Sequence, residues 1–94
     1  MKYSSQTGAT ATFSFTGAGV RWIAAKSKSF GKAGIYIDDV YLATVDLYSS
    51  TAKVKQIVYG RRGLAQGAHS IKVEVLGQKN PASTGYIVDV DAFE

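Results

Sequence analysis

The chain has 94 residues, 46% of them hydrophobic and 19% charged, with a net charge of +4, one histidine and no cysteine. That balance predicts one globular domain and excludes a disordered chain, a disulfide framework and any Cys–His chemistry. No apolar run approaches the ~20 residues that span a bilayer as a helix, so a membrane is not among the expected partners.

At this length a compact chain buries roughly two-thirds of the surface its unfolded form exposes, enough for two facing sheets without a metal or disulfide. Residues Tyr3–Gly8 are polar and read as a lead-in. The Met1-Lys2 start lacks the basic-then-apolar pattern of a secretion signal, and it leads straight into module-like sequence. Residues 1–94 are therefore expected to be a single module excised from a larger multidomain protein.

Thr10–Thr16 alternates, with Phe13 and Phe15 on one face and Thr12, Ser14 and Thr16 on the other. This is the period of a half-buried strand. Gly17-Ala18-Gly19 turns the chain into Val20–Ala25, which sets Val20, Trp22 and Ala24 against Arg21 and Ile23. Lys26–Gly31 is a polar loop. In Gly34–Tyr48, two runs rich in β-branched and aromatic residues flank Asp38-Asp39. Aspartate tolerates left-handed backbone angles, so a two-residue hairpin turn is expected there. Residues 40–48 carry apolar side chains on both faces, which fits either a covered central strand or a bulge. Val54–Tyr59 reads as the next strand, with Val54 and Val58 opposite Ile57 and Tyr59. Arg61–Ala68 is a turn segment. His69–Leu76 places His69, Ile71, Val73 and Val75 on one face. Gln78–Gly85 is a loop holding the only proline, and Tyr86–Phe93 closes the domain. With no helical period anywhere, the pattern predicts an all-β, two-sheet antiparallel β-sandwich of jelly-roll type with about seven to eight strands.

The eleven basic residues are scattered along the chain, and the densest group is Lys26, Lys28 and Lys32. Nucleic-acid binders gather charge into a run or a helix with stacking aromatics between. A solvated, solubilising loop is the favoured reading here, and nucleic acid is not an expected partner.

The segments FSFTGAGVRWIAAK, GKAGIYIDD, YLATVDLYSS, GLAQGAHSIKVEVLGQKNPAS and YIVDVDAF follow one another over Tyr3–Phe93. In this order the chain resembles the galactose-binding-domain-like superfamily, the carbohydrate-binding-module-like bacterial jelly rolls. Relatives of that kind are appended to secreted glycosidases, esterases and surface proteins. The resemblance implies an extracellular or cell-surface location within a secreted protein. It also implies a polysaccharide or glycan as ligand, with catalytic or surface domains of a parent chain as neighbours. The superfamily includes sugar binders, protein binders and modules with no recognised ligand. Where such relatives carry Asp-Gly in the hairpin, this chain has Asp39 in place of the glycine. That implies either strain or a different turn type.

Successive connections of antiparallel strands fall at alternate ends of a sandwich. The loops Lys26–Gly31, Ser49–Ala52 and Gln78–Thr84 therefore share one end, where they gather Lys26, Ser27, Lys28, Tyr48, Lys79, Asn80 and Ser83. Loops on a rigid scaffold are where binding residues concentrate. Sugar recognition needs an apolar platform for the C–H face of a ring and hydrogen-bonding groups for its hydroxyls. Tyr48 supplies the platform, and Lys26, Lys79 and Asn80 the hydrogen bonds. These four are the candidate ligand-binding residues, and their cationic neighbours favour an acidic sugar or an anionic polymer.

Other tempting residues have plainer readings. Trp22 keeps register with Val20 and Ala24, so a core position is favoured over a stacking platform. His69 is expected to be a hydrogen-bonded structural histidine. Asp89 and Asp91 leave the same face of the last strand. Some jelly-roll relatives carry structural calcium, but calcium wants several oxygens from different segments. With no acidic partner recognisable elsewhere, no cofactor is expected. Ser49 and Ser50 lack a nucleophile elbow, and no acid pair or phosphate-cradling glycine motif is present. The chain is therefore read as non-catalytic. Two classes remain: a carbohydrate-binding accessory module, and a structural or protein-interaction spacer with no sugar ligand. The first predicts an exposed aromatic at the site. The second predicts that Tyr41, Tyr48, Tyr59 and Tyr86 are buried or gathered in an apolar patch.

Overall fold

The computed structural model describes residues 2–93, arranged as nine strands in a body of 40 × 23 × 20 Å. The strands are β1 (Lys2–Ser4), β2 (Thr10–Gly17), β3 (Val20–Lys26), β4 (Lys32–Ile37) and β5 (Val40–Asp46). They continue with β6 (Lys53–Arg61), β7 (Gly67–Val75), β8 (Val88–Val90) and β9 (Ala92–Phe93). A four-stranded sheet has the order β2-β7-β4-β5, a three-stranded sheet the order β6-β3-β9, and β1 pairs with β8, all antiparallel. The Asp91 N–H donates to Ile23 O at 2.9 Å, so the β8–β9 segment runs beside β3 and the β1–β8 pair extends the smaller layer. The result is the expected all-β antiparallel sandwich.

The two layers meet along the alternating positions. Ala33, Ile35 and Ile37 of β4 and Ile71, Val73 and Val75 of β7 face Val20, Trp22 and Ala24 of β3, with Val88 and Leu47 completing the core. Each fully buried aliphatic side chain contributes roughly 1.5–3 kcal/mol relative to exposure. Trp22 is 0% exposed, as its register required. Phe13 of β2 stacks on Phe93 of β9 with centroids 5.2 Å apart, and so joins the two layers.

The hairpin between β4 and β5 turns through Asp38 and Asp39, at φ 51° and 65°. Both angles are left-handed, as the tight primed turns that suit strand twist require. Asp39 therefore occupies the glycine position without changing the turn. Within residues 40–48, Val40–Asp46 resolves as the edge strand, with a register shift between Ile35 and Tyr36 that leaves Leu42 unpaired against β4, and Leu47 turns into the core.

Three expectations need correction. The polar lead-in contains a strand, because Lys2–Ser4 finds hydrogen-bonding partners in Val88–Val90 far along the chain. The last strand begins at Val88 rather than Tyr86. In β6 the alternation fails: Val54 and Ile57 are both exposed, while Val58 and Tyr59 are both half-buried. Two register shifts against β3 cause this, one of them near Lys55 at φ 52°. Each bulge adds a residue and reverses the faces that follow.

Candidate functional site

The three loops grouped from the sequence do converge. Ser27 bridges Tyr48 in parallel, with Ser27 N–H donating to Leu47 O at 3.2 Å and Ser49 N–H to Ser27 O at 3.1 Å. Lys28 O accepts the Thr84 N–H at 2.8 Å, and Gln78 O accepts the Lys32 N–H at 2.9 Å. Gly31 sits at the centre of this rim. A Cβ there would lie 2.8 Å from both Gln78 O and Tyr86 Cα, so only glycine lets the backbones close so tightly.

Side chains knit the same rim. The Asp46 carboxylate accepts the Tyr48 N–H at 2.9 Å through Oδ1 and the Asn80 amide at 3.1 Å through Oδ2. Asn80 Oδ1 accepts the Ala82 N–H at 3.0 Å, so its carbonyl and one N–H serve the loop itself. Tyr48 is half-buried rather than open, as are Lys26 and Lys79. Lys26 lies at the end of β3, opposite Lys53 of β6. All four candidate residues thus lie on the rim: Tyr48 and Asn80 meet through Asp46, while Lys26 and Lys79 flank Ser27 and Asn80 in sequence. Ser83, grouped with them by sequence, is instead a buried latch whose hydroxyl lies within 3.1 Å of the Lys28, Phe30 and Gly85 carbonyls.

The more open aromatic of this end is Tyr86, 41% exposed, whose Cα lies beside Gly31. Sequence reading assigned it to the closing strand. The signal was the preceding Ser83-Thr84-Gly85, which keeps Tyr86 in the loop.

The opposite end has different chemistry. His69 Nδ1 is 2.6 Å from Asp38 Oδ2, and Nε2 is 2.5 Å from Ala65 O. Both partners are acceptors, so the arrangement favours the ring with both nitrogens protonated. The Ala65 carbonyl, then Asp38, raises the His69 pKa above 6.5. The His69 hydrogen bond, then the Ser70 N–H at 3.0 Å, lowers that of Asp38. His69 thus ties the hairpin to the β6–β7 connection.

Asp89 is 1% exposed, and one carboxyl oxygen accepts the Ala25 N–H at 2.9 Å. Its other oxygen has no partner among the described residues. Burial, then the neighbouring Asp91 carboxylate, raises its pKa. Among the described residues, no group of three or more His, Cys, Asp or Glu side chains could hold a metal.

No protein-family model matches the chain. It is 33% identical over 92 residues to the A type blood N-acetyl-alpha-D-galactosamine deacetylase of Flavonifractor plautii, over 98% of this chain and 11% of that protein. It is 32% identical over 72 residues to the A type blood alpha-D-galactosamine galactosaminidase of the same organism, over 77% of this chain and 7% of that protein. The chain thus spans about a tenth or less of the curated relatives it matches. In fold it is similar to part of a Paenibacillus xanthan lyase, with a TM-score of 0.69 at 17% identity over 97% of this chain and 9% of that one. It is also similar to part of a family two carbohydrate esterase from Clostridium thermocellum, with a TM-score of 0.65 at 22% identity over 98% of this chain and 26% of that one. The chain is a β-sandwich segment of a kind also found within larger chains that are named for action on carbohydrates. No helix among the described residues is long and apolar enough to cross a membrane.

Proposed function

We propose that the chain is a non-catalytic accessory module that binds a polysaccharide or glycan through the loop rim at one end of the sandwich, within a secreted carbohydrate-acting protein. One observation carries this reading. A segment about one third identical to this chain is found in a protein named as a deacetylase and in one named as a galactosaminidase, each about ten times its size. The two names describe different reactions, whereas both specify a related amino sugar, so the sugar is the simplest thing the shared segment could serve. A module that holds the glycan serves either chemistry.

The rim supports the assignment. Its loops are fixed by internal hydrogen bonds, an exposed tyrosine stands at it, and the half-buried Lys26 and Lys79 offer cationic donors. Tyr48 and Asn80 shape the surface, and Tyr86 joins them as a platform for a sugar face. A second reading, a protein-interaction spacer, draws on the outer face of the smaller sheet, where exposed Val54 and Ile57 flank Ile23.

Affinity electrophoresis or a glycan array separates the two readings. Wild-type protein is expected to be retarded by a glycan, with weaker binding in Lys26→Ala, Tyr48→Ala and Tyr86→Ala. Binding retained in all three removes the rim as the site, and the absence of any glycan signal favours the spacer.

A further inference from the structure

The outer face of the four-stranded sheet presents groups that the core does not use. The strand register places Thr12, Lys72, Tyr36 and Tyr41 in one row across β2, β7, β4 and β5. The adjacent row sets Glu74 beside Gly34 and Thr44. On β4, Tyr36 lies between the buried Ile35 and Ile37, so its side chain leaves on the outer face.

Both tyrosines are held. The Tyr36 hydroxyl donates to Glu74 Oε1 at 2.9 Å, and the Lys72 ammonium sits 4.4 Å from the Tyr36 ring centroid. The Tyr41 hydroxyl pairs with Thr44 Oγ1, and its ring meets that of Tyr36 edge-on at 5.1 Å and 83°. Tyr41 also leans over the bare backbone of Gly34, where a Cβ would stand 2.9 Å from its Cε2 and 3.1 Å from Leu76 Cδ2. Despite these restraints Tyr41 remains 47% exposed. An aromatic ring fixed in orientation and still open to solvent needs little further ordering when a ligand lands on it.

From this arrangement we propose a second glycan-contact surface, in which Tyr41, braced edge-on by Tyr36, is the platform for a neutral oligosaccharide lying across the strands. Four strands at ~4.8 Å spacing give a row about 14 Å wide, which accommodates a short oligosaccharide better than a single ring. The exposed Tyr41 ring takes a C–H face of the sugar, while Lys72, Glu74 and Thr12 reach its hydroxyls. Lys72 and Glu74 cancel in charge, so this face favours a neutral sugar, in contrast to the lysine-bearing rim. The proposal rests on the glycan-binding reading above, and it adds a site that reading does not contain.

The test is an amide ¹H–¹⁵N NMR titration of the intact chain with two neutral probes, cellohexaose and an oligosaccharide ending in N-acetyl-α-D-galactosamine. Shifts at Gly34, Tyr36, Tyr41 and Lys72 are expected with at least one probe, and they persist in a Lys26→Ala/Tyr48→Ala double variant. Tyr41→Ala weakens that binding about tenfold or more. Tyr41→Leu, which keeps a strand-compatible side chain, does the same, while Tyr41→Phe retains most of it. Shifts confined to the residues around Tyr48, Asn80 and Tyr86 overturn the platform and leave the rim reading standing. A wild-type spectrum that moves with neither probe overturns the platform outright, and the wider glycan array then decides the rim reading separately.

Discussion

Ser83→Ala deletes one oxygen and tests whether the loop rim is held from inside. The residue is 5% exposed, and its hydroxyl lies 2.7 Å from Phe30 O, 2.9 Å from Gly85 O and 3.1 Å from Lys28 O. It also accepts the Gly85 N–H at 3.3 Å. One hydroxyl hydrogen serves one carbonyl well, so Phe30 takes it and the other two carbonyls gain only a polar neighbour. A typical intramolecular hydrogen bond nets about 0.5–1.5 kcal/mol, and a buried group left unpaired costs about 1–3 kcal/mol. The substitution is therefore expected to cost about 1–3 kcal/mol. In a domain this size each kcal/mol lowers Tm by roughly 4–8 °C, so a fall of about 5–20 °C is expected by calorimetry. The same bonds join residues 28–30 to 83–85, so glycan affinity at the rim should also drop well below the new Tm. A Tm within about 2 °C of wild type, with glycan affinity unchanged, would refute the latch.

Other expectations follow from single groups. Asp39→Gly relieves a left-handed residue and should stabilise by about 0.5–1 kcal/mol in urea denaturation. Asp38→Gly in the same turn should destabilise, because it strips acceptors from His69 and Ser70. Trp22→Ala should cost about 3–5 kcal/mol or prevent folding, as expected for a fully buried ring. Asp89 has a folded-state pKa raised above 3.8, so it lowers stability progressively as pH climbs through that interval. Asp89→Asn should remove that decline and leave the protein at least as stable at neutral pH, as read from Tm against pH. His69 contributes stability that is complete below pH 6.5 and lost as pH rises through its raised folded value. Asp38 contributes stability that is present above pH 3.8 and lost as pH falls through its lowered one. His69→Gln should flatten the alkaline limb of the Tm–pH curve; an unchanged limb would show that the imidazolium is not the group responsible.

Period-two alternation made most of the sandwich legible. Val20, Trp22 and Ala24, and likewise Ile71, Val73 and Val75, face inward as their spacing dictates. The turn at Asp38-Asp39 was legible because aspartate accepts left-handed angles. What stayed hidden depends on partners distant in sequence. Nothing in Tyr3–Gly8 reveals a strand, since Lys2–Ser4 is made one by Val88–Val90. The bulges of β6 arise from pairing with β3, so the pattern of Val54–Tyr59 misassigns its faces. The rim was placed correctly by counting connections, but the inward role of Ser83 and the openness of Tyr86 come from loop packing. Tyr36 and Tyr41 become one surface only through the lateral register of β7, β4 and β5.

The two ends of the sandwich are fastened by chemically different devices, and this separates their responses. At the rim, Ser83 and the backbone pairs among residues 27–31, 47–49 and 78–87 are neutral donors and acceptors, joined by the Asp46 carboxylate that accepts N–H groups from Tyr48 and Asn80. At the far end the fastening is a charged pair, His69 with Asp38, which loses its proton as pH rises. The two sets share no partner, so their mutational effects should add rather than couple. Alkaline pH therefore loosens the hairpin and the β6–β7 connection before it disturbs the rim. Glycan binding at the rim should then survive a pH rise that already lowers Tm. Binding on the Tyr36–Tyr41 face, carried by strands leading into that hairpin, should weaken first.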